Sequence, residues 1–325
     1  MSDKLHILVV TNTFPTSEKP GDTPQIRDQI DALKARGVEV DLMYVDIYRG
    51  KRGYAEAAWR ILLLSFQSKR YDLIHAYYGH CGLLARLQAR YPIIVTFLGS
   101  DLLDSKDRGI GKIVARIADG IIVQTEEMKR TAKRDDAYII PFGVNLDLFT
   151  SYPMEDARCE LGLALDEKLV LFPWNPKRPV KRFDLVQEAI RIVQQSYDRV
   201  RLVSLIDQPH ETVAKYMNAC NVMVLASEHE GSPMALREAM ACNLPIVSVD
   251  VGDVRQIIEN TEGCYLCKRE PSDIAEKLGL ALARGSRTCG ARVVRQADAA
   301  WGADQVMLLY DCVLKSHRRQ RKGEK

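Results

Sequence analysis

Two carboxylates in this chain stand where they could bind the two ends of one charged ligand. Glu230 and Glu238 are eight positions apart, in the run SEHEGSPMALREAMACNLPIVSV. Apolar runs at Val222–Ala226 and Pro245–Val249 lie on either side and predict buried strands. A helix start between these strands would present unpaired N–H groups with partial positive charge, which favour a phosphate. An isolated pair of glutamates is usually a surface feature, but this position between two buried strands favours a ligand site.

The elements that must position these carboxylates can be predicted from the residues between them. Ser232 offers an N-cap oxygen and Pro233 fits the first helical position, with Ala235 to Cys242 continuing as helix. Glu230 would then lie just before the turn and Glu238 about two turns further on. The sequence therefore predicts a strand, a tight glycine turn and a helix start.

The composition of the chain excludes several classes of protein. A formal charge of +3 over 325 residues is too small to indicate nucleic-acid binding. No apolar run reaches the ~18 residues of a membrane span, and no signal peptide is visible. Eight irregularly spaced cysteines predict reduced thiols, and so a cytoplasmic location. The single C-x-x-C, Cys264 and Cys267, lacks a second pair, so two strand cysteines and no metal site are expected.

Basic residues concentrate in two segments. Arg49 to Arg70 contains six basic residues and one acidic residue, and the tail from His317 to Lys322 is also basic. In the first segment, one helical face gathers four apolar side chains: Trp59, Leu62, Leu63 and Phe66. Such a helix could lie on an anionic membrane surface, which would make the protein peripheral on the inner face of the membrane. The alternative, which we favour from sequence, is a helix that packs these side chains into the core.

Strands alternate with helices along the whole chain. In the first half, strands are predicted at LHILVVTN, Val38–Val45, Leu73–Tyr77, Ile93–Phe97, Ile121–Gln124 and Tyr138–Ile140, with helices between them, including Gln25–Arg36 and Cys81–Ala89. The alternation restarts with strands at Leu169–Phe172, Arg201–Leu205, Val222–Ala226, Pro245–Val249 and Gly263–Cys267, separated by helices that include Asp184–Gln195 and Glu211–Ala219. This order predicts α/β structure with two doubly wound, Rossmann-like domains.

The Pro- and Gly-containing stretch from Pro141 to Pro153 reads as the link between the domains. We therefore assign residues 1–145 to a first domain and 146–300 to a second. Residues 301–325 form a last helix, predicted near Ala303–Leu314, which packs back toward the first domain, plus the basic tail. Two such domains are expected to face each other across a ligand-binding cleft.

In these segments the chain resembles the retaining nucleotide-sugar glycosyltransferases of family 4 (group 1), which have the GT-B fold. EGSPMALREAMACNLPIVSVDVGDV resembles the family's E-x7-E donor motif, and IIPFGVNLDLF resembles its interdomain crossing. ILVVTNTFP with QIDALKARGVEV resembles the start of the acceptor domain, while ARCELGLALDEKLVLF and RPVKRFDLVQEAI resemble the entry to the donor domain. The resemblance covers almost the whole chain and implies that residues 1–145 bind the acceptor and 146–300 the donor.

The resemblance implies roles for individual residues of the second domain. Glu230 would accept hydrogen bonds from the donor sugar and Glu238 from the ribose of the nucleotide. Lys181 matches the lysine that neutralises the diphosphate, and Arg178 matches the arginine that usually precedes it, with Lys177 as a substitute. The helix-start N–H groups that would meet the phosphates belong to Gly231, Ser232 and Met234.

The first domain departs from the family pattern at one position. TFLGSDLL resembles the family segment after the fourth strand, but Leu98 stands where many members have a histidine. Leucine forms no hydrogen bond through its side chain, so the backbone or a neighbour such as His80 would have to replace that contact. Gly99, Ser100 and Asp101 are expected to line the cleft, although an aspartate here could equally be a helix N-cap. Gly21, in the loop PGD, is expected to contact the acceptor or the phosphates.

The resemblance implies a retaining hexosyltransferase that moves a sugar from a nucleoside-diphosphate sugar to a hydroxyl of a glycan or lipid-linked acceptor. No cofactor or metal is expected, because lysine, arginine and a helix start would supply the positive charge. The alternatives are a catalytically silent nucleotide-sugar-binding partner of another transferase, which Leu98 favours, and a GT-B sugar-nucleotide epimerase. An anionic membrane surface is a further candidate partner, and no nucleic acid is expected.

Overall fold

Strands and helices alternate through the computed structural model, which describes residues 4–66 and 71–322. The strands are β1 (His6–Thr11), β2 (Glu39–Tyr44), β3 (Leu73–Tyr77), β4 (Ile93–Thr96), β5 (Gly120–Val123), β6 (Tyr138–Ile139), β7 (Lys168–Phe172), β8 (Val200–Ser204), β9 (Val222–Leu225), β10 (Ile246–Val249) and β11 (Tyr265–Cys267). The helices are α1 (Pro24–Ala35), α2 (Lys51–Leu63), α3 (Gly79–Ala85), α4 (Ser100–Leu103), α5 (Arg108–Ile117), α6 (Glu126–Ala132), α7 (Met154–Leu161), α8 (Phe183–Val193), α9 (His210–Ala219), α10 (Met234–Ala241), α11 (Val254–Ile258), α12 (Pro271–Arg284), α13 (Ala291–Val294) and α14 (Ala299–Lys322).

The prediction of two doubly wound units is confirmed. The strands form two parallel sheets, one with the order β2-β1-β3-β4-β5-β6 and one with the order β11-β10-β9-β7-β8. The predicted strands are present with ends moved by a residue or two. The last helix is longer than predicted, since α14 extends from Ala299 to Lys322 rather than over Ala303–Leu314.

Each face of the first sheet is covered by helices. Side chains of α2, α3, α5 and α6 join one apolar cluster with Ile74 and Ala76 of β3. His75, between them, points to the opposite face because side chains alternate along a strand. There its ring nitrogens bond to Tyr310 of α14 (2.6 Å) and to Thr96 of β4 (2.7 Å). The last helix is therefore held to the first sheet by a buried polar contact as well as by apolar packing.

The second sheet has a separate apolar cluster on each face. Leu169 and Leu171 of β7 pack with α9, α10 and α11, whereas Val170 and Phe172 pack with α8 and α12. The period of two along β7 is that of a strand buried on both sides, as in parallel sheets. This rigid sheet fixes the positions of the loops that follow its strands.

Contacts divide the chain into two compact units. The first comprises residues 1–14, 25–143 and 299–325, and the second comprises 15–24 and 144–298. The boundaries predicted from the sequence fall after residues 145 and 300. The loop Pro15–Pro24 differs from that assignment, because it groups with the second unit. Nothing in the local sequence of this loop indicates a distant partner.

The sequence-based expectation for the basic helix is wrong in its orientation. Helix α2 packs into the core through Ala57 and Ile61, whereas Trp59, Leu62 and Phe66 are exposed and Leu63 is half-buried. Lys69 and Arg70 of the same basic segment lie outside the described residues. Among the described residues, no helix is both long and apolar enough to cross a membrane.

Candidate functional site

The candidate site lies at the carboxyl edge of the second sheet. Strand β7 has β8 on one side and β9 on the other. The chain therefore leaves β7 toward one edge of the sheet, to form β8, and then crosses back to the other side of β7 to form β9. Ligands of open α/β sheets bind in the crevice at such a switch point. The loop after β7 contains Lys181, and the loop after β9 contains Glu230. The fold therefore brings together two residues that are distant in sequence.

Lys181 and Glu230 form an ion pair in a shielded position. The Lys181 side chain is only 6% exposed and that of Glu230 14%, and the ammonium contacts Glu230 Oε1. Ser227 donates a hydrogen bond to the same carboxylate oxygen (2.6 Å), and the ammonium lies 4.5 Å from the centre of the Trp174 ring. Burial lowers the pKa of Lys181, and the charge of Glu230 opposes that change. An exposed lysine would need none of these partners. The surroundings therefore hold the Lys181 ammonium in a fixed position away from water.

The two loops are also joined through the backbone, since the N–H of Glu228 donates to the carbonyl of Val180 (2.9 Å). Arg178 and Lys177 are exposed on the same loop. The charge of Arg178 contributes to lowering the pKa of Lys181, which means that the two cations lie near each other. Neither Arg178 nor Lys177 makes a side-chain ion pair with any described residue. The nearness to Lys181 favours Arg178 over Lys177 as the second cation for an anionic ligand at this site.

The helix start differs from the predicted one. Helix α10 begins at Met234, with Pro233 at the cap position and without a side-chain cap. The predicted N-cap at Ser232 is wrong, because its hydroxyl donates to Asp253 (2.8 Å) and accepts from Arg237 (3.0 Å). Consequently the N–H groups of Gly231, Ser232 and Met234 donate to no acceptor among the described residues. These N–H groups, next to Glu230, suit an anion.

A group of side-chain hydrogen bonds stabilises the turn at Glu230 and Gly231. Arg237, Asp253 and Ser232 form a hydrogen-bonded group in which Arg237 also pairs with Asp253 (2.5 Å). Directly before Asp253, Gly252 has φ +58°, and a Cβ there would lie 2.2 Å from the carbonyl oxygen of Gly231. The loop after β10 therefore supports the Glu230–Gly231 turn by close backbone contact that only glycine permits.

We expect Gly252→Ala to destabilise the second unit by about 3 kcal/mol or more, because left-handed strain adds to a backbone clash. The matched control is Gly162→Ala, whose φ is +63° with no atom within 4 Å of the added Cβ. That control should lose only about 1 kcal/mol. Denaturant unfolding in a Trp59→Phe/Trp301→Phe background, where Trp174 alone reports, measures both. Equal losses would mean that the contact between Gly252 and Gly231 does not constrain the turn.

Glu238 has a partner that the sequence analysis missed. His210, the first residue of α9, donates from Nε2 to Glu238 Oε1 (2.9 Å), since a carboxylate only accepts. The His210 ring packs edge-on against Phe149, with 4.7 Å between the ring centres. The side chains of His210 and Glu238 are both largely buried. The signal of His210 in the sequence was its position in the short loop between the predicted strand Arg201–Leu205 and the helix after it, where ligand-binding residues of α/β sheets concentrate.

The residues predicted from the first domain have different environments. Asp101 does not line a crevice: it is 1% exposed, and its carboxylate accepts from the N–H groups of Leu98 (3.0 Å), Gly99 (3.0 Å) and Gly79 (3.1 Å). Burial raises its pKa to about 7, while these donors act in the opposite direction. Asp101 therefore has neither of the two roles expected from the sequence, which were to line the cleft or to cap a helix. Asp101 joins the turn after β3 to the turn after β4.

Those two turns present the remaining candidates. Ser100 is exposed, and its hydroxyl lies 3.5 Å from that of Tyr78, which donates to Asp107 (2.6 Å). His80 stacks on the Tyr78 ring, with Nε2 3.7 Å from Asp107, and its buried Nδ1 has no partner among the described residues. Leu98 is half-buried. Polar groups thus collect at the carboxyl edge of the first sheet.

Gly21 belongs, by its contacts, to the second unit. A Cβ there would lie 3.3 Å from the Cα of Asp207 and from the carbonyl oxygen of Gln208. These residues precede His210 at the start of α9, so the PGD loop lies beside the element that holds Glu238. In residues 4–66 and 71–322, no group of three or more His, Cys, Asp or Glu side chains is arranged to hold a metal ion.

Comparison with known proteins gives two family matches. Residues 6–148 match the model for Glycosyltransferase Family 4, and residues 167–284 match the model for Glycosyl transferases group 1. The first match covers the strands of the six-stranded sheet, and the second covers the candidate site.

Individual relatives agree with these matches. A proposed teichuronic acid biosynthesis glycosyltransferase of Bacillus subtilis, TuaC, is 24% identical over 84% of this chain and 88% of its own. A D-inositol 3-phosphate glycosyltransferase of Xylanimonas cellulosilytica is 25% identical over 72% and 69%. Among solved structures, Anabaena Alr3699/HepE in complex with UDP and glucose has a TM-score of 0.70 at 16% identity, covering 95% of this chain and 100% of that one. This structural likeness establishes the GT-B fold.

Proposed function

Because the chain belongs to glycosyltransferase family 4, we propose that it moves a hexose from a nucleoside-diphosphate sugar to a hydroxyl of a glycan or lipid-linked acceptor. The observation that carries this proposal is the buried Lys181–Glu230 pair beside the unpaired N–H groups of the turn at Gly231. It combines a shielded cation, an anion-binding turn and a hydrogen-bond acceptor within one site of the second unit. A diphosphate linked to a sugar has the complementary groups.

Lys181 and the turn would act mainly on the leaving group. As the bond between the sugar and the diphosphate breaks, negative charge grows on the departing phosphate oxygen. A fixed ammonium and fixed N–H groups in a poorly solvated site stabilise that charge more than they stabilise the ground state, and this lowers the barrier. Arg178, exposed and unpaired among the described residues, would supplement this charge on the same loop.

Glu230 would position the sugar rather than attack it. Its carboxylate already accepts from Lys181 and Ser227, so it is a poor candidate for a free nucleophile. We therefore propose that the acceptor hydroxyl attacks on the face from which the diphosphate leaves and passes its proton to that diphosphate. Such a reaction retains the anomeric configuration. It needs no protein nucleophile and, on this proposal, no metal, because lysine, arginine and N–H groups supply the charge.

The names of the relatives narrow the substrates. HepE was solved with UDP and glucose, and the name of TuaC assigns it to teichuronic acid biosynthesis. We propose a uridine-diphosphate hexose as the first donor to test and a surface polysaccharide or its lipid-linked precursor as the acceptor class.

Leu98 favours a second candidate function, a nucleotide-sugar-binding partner of another transferase without activity of its own. A leucine side chain cannot form the polar contact that histidine makes in many family members. The intact Lys181, Glu230 and Glu238 argue against it, as does His80, which keeps an unpartnered ring nitrogen on the adjacent turn.

The test is turnover of a panel of UDP-, GDP-, ADP- and dTDP-hexoses with and without added acceptors, scored as release of nucleoside diphosphate. We expect slow hydrolysis of one donor by the wild type, its loss in Glu230→Ala, and no effect of EDTA. The anomeric coupling constant of the product, measured by NMR, tests retention. Calorimetric binding of a donor without turnover under any condition would instead support the silent partner.

His210 is expected to act as a positioning residue for Glu238. His210→Ala should raise KM for the donor about 10-fold and change kcat little, because a ribose contact contributes equally to the ground state and the transition state. His210→Gln, whose amide can donate to the same carboxylate, should restore most of the affinity. Steady-state kinetics of the three proteins decide the matter, and an equal KM for alanine and glutamine variants would contradict the role.

A further inference from the structure

Helix α2 presents large apolar side chains to solvent. The exposed fractions of Trp59, Leu62 and Phe66 are 64%, 40% and 86%. Ala57 and Ile61 already occupy the core-facing side of the same helix. The outward side chains are therefore not needed for packing within the unit. We name Trp59 and Leu62, together with Phe66 in the turn that follows the helix, the outer face of α2.

The neighbouring helix extends this apolar surface. Helices α2 and α3 each follow a strand of the same parallel sheet, and both contribute to the same apolar cluster, so they run side by side in the same direction. The ring contact between Tyr54 and His80 (6.3 Å) sets their register. Leu83 of α3 and Leu87, two residues beyond the end of that helix, are 42% and 45% exposed. They belong to the same side of the sheet as the outer face of α2, because both helices join one apolar cluster.

Positive charge surrounds this surface. Lys51, Arg52 and Arg60 of α2 are exposed, and the acidic residue of the helix, Glu56, is neutralised by Arg49 at 2.7 Å. The net charge presented by the helix is therefore positive. Aromatic and aliphatic side chains flanked by exposed lysine and arginine match an anionic lipid surface, which has negative phosphates above an apolar layer.

We propose that the outer face of α2, with Leu83 and Leu87, docks on an anionic phospholipid bilayer. The apolar side chains enter the boundary between headgroups and acyl chains, where the Trp59 ring is favoured, while the basic side chains contact lipid phosphates. The helix stays folded on its sheet through Ala57 and Ile61, so it lies along the surface and does not cross it. This docking goes beyond the proposed function and does not depend on it, since it is measured without turnover.

Vesicle flotation tests the proposal on the full chain. The wild type should float with vesicles of phosphatidylcholine containing about 30 mol % phosphatidylglycerol, float poorly with phosphatidylcholine alone, and lose binding as salt rises. Trp59→Ala/Leu62→Ala/Phe66→Ala should lower the partition coefficient at least ~10-fold. The matched control removes exposed apolar side chains from the second unit, Leu165→Ala/Ile206→Ala/Leu280→Ala, and should bind as the wild type does.

A second measurement locates the contact. Bromine-labelled lipid in the anionic vesicles should quench tryptophan fluorescence of the wild type and not of Trp59→Phe, which leaves Trp174 and Trp301 as reporters. Circular dichroism checks that the variants are folded. Equal failure to bind both kinds of vesicle, full binding by the triple variant, or self-association that competes with lipid would each overturn the proposal.

Discussion

Lys181→Met is expected to lower kcat about 100- to 1000-fold and to change KM for the donor much less. On the proposed function, the lost interaction is with charge that develops on the leaving diphosphate, and removing one such fixed group costs about 3–4 kcal/mol of transition-state stabilisation. Because the Lys181 side chain is 6% exposed and paired with Glu230, water cannot substitute for it. The measurement is steady-state release of nucleoside diphosphate under saturating donor.

Lys177 provides the matched control, because it is a lysine of the same loop with an exposed side chain. Lys177→Met should change kcat less than about 3-fold, since screened surface charges contribute little. Glu230→Gln should be nearly as damaging as Lys181→Met, and the double variant should be no worse than the worse single variant, because the two side chains act as one unit. Additive losses, or a similar loss for Lys177→Met, would contradict the role of the pair.

The second large effect concerns the stability of the first unit at acid pH. His75 is fully buried, and burial lowers its pKa from 6.5 to about 3. Below pH 6.5 the histidine of the unfolded chain takes up a proton, whereas the buried ring does so only near pH 3. Protons therefore favour unfolding, and the free energy of unfolding falls as the pH falls through this interval. Between pH 6.5 and 4.5 the loss should reach about 2–3 kcal/mol.

His75→Gln removes the titrating group while keeping polar atoms for Tyr310 and Thr96. The variant should be less stable than the wild type at pH 7. Its free energy of unfolding should also fall less steeply between pH 6.5 and 4.5, because the titrating histidine is gone. Asp101, whose raised pKa gives a slope of opposite sign, is present in both proteins and cancels in their difference. Urea unfolding in a Trp174→Phe background, where Trp59 and Trp301 both report on the first unit, supplies the data. Parallel pH curves would refute the assignment to His75.

Much of the fold could be predicted because it depends on local patterns. Runs such as Leu73–Tyr77 are apolar throughout and β-branched or aromatic in part, which suffices to identify strands of a parallel sheet. Glu230, Glu238 and Lys181 could be named because their spacing and their neighbours resemble a family motif. The pairing of Lys181 with Glu230 could not be predicted, because it depends on β7 and β9 being adjacent in the sheet.

The errors have a common origin in contacts between distant segments. Ser232 has the right chemistry for an N-cap, but Asp253 and Arg237 engage its hydroxyl first. Asp101 is polar, yet three backbone N–H groups from two turns bind it in the interior. The local sequence shows which hydrogen bonds a side chain could form. The partners that the fold brings near it determine which of those bonds has the lowest free energy.

By itself, the sequence determined the alternation of strands and helices and the presence of two α/β units, since these follow from periodicity. The E-x7-E motif at Glu230 and Glu238 could be named because it resembles a family pattern. Only the tertiary structure decided that His210 donates a hydrogen bond to Glu238, that Gly252 packs against the backbone of the turn at Gly231, and that Trp59 is exposed. Those three outcomes depend on the order of strands in each sheet and on which face of a helix the sheet covers. Both are set by packing of the whole chain, where burying one face of α2 leaves the other to solvent.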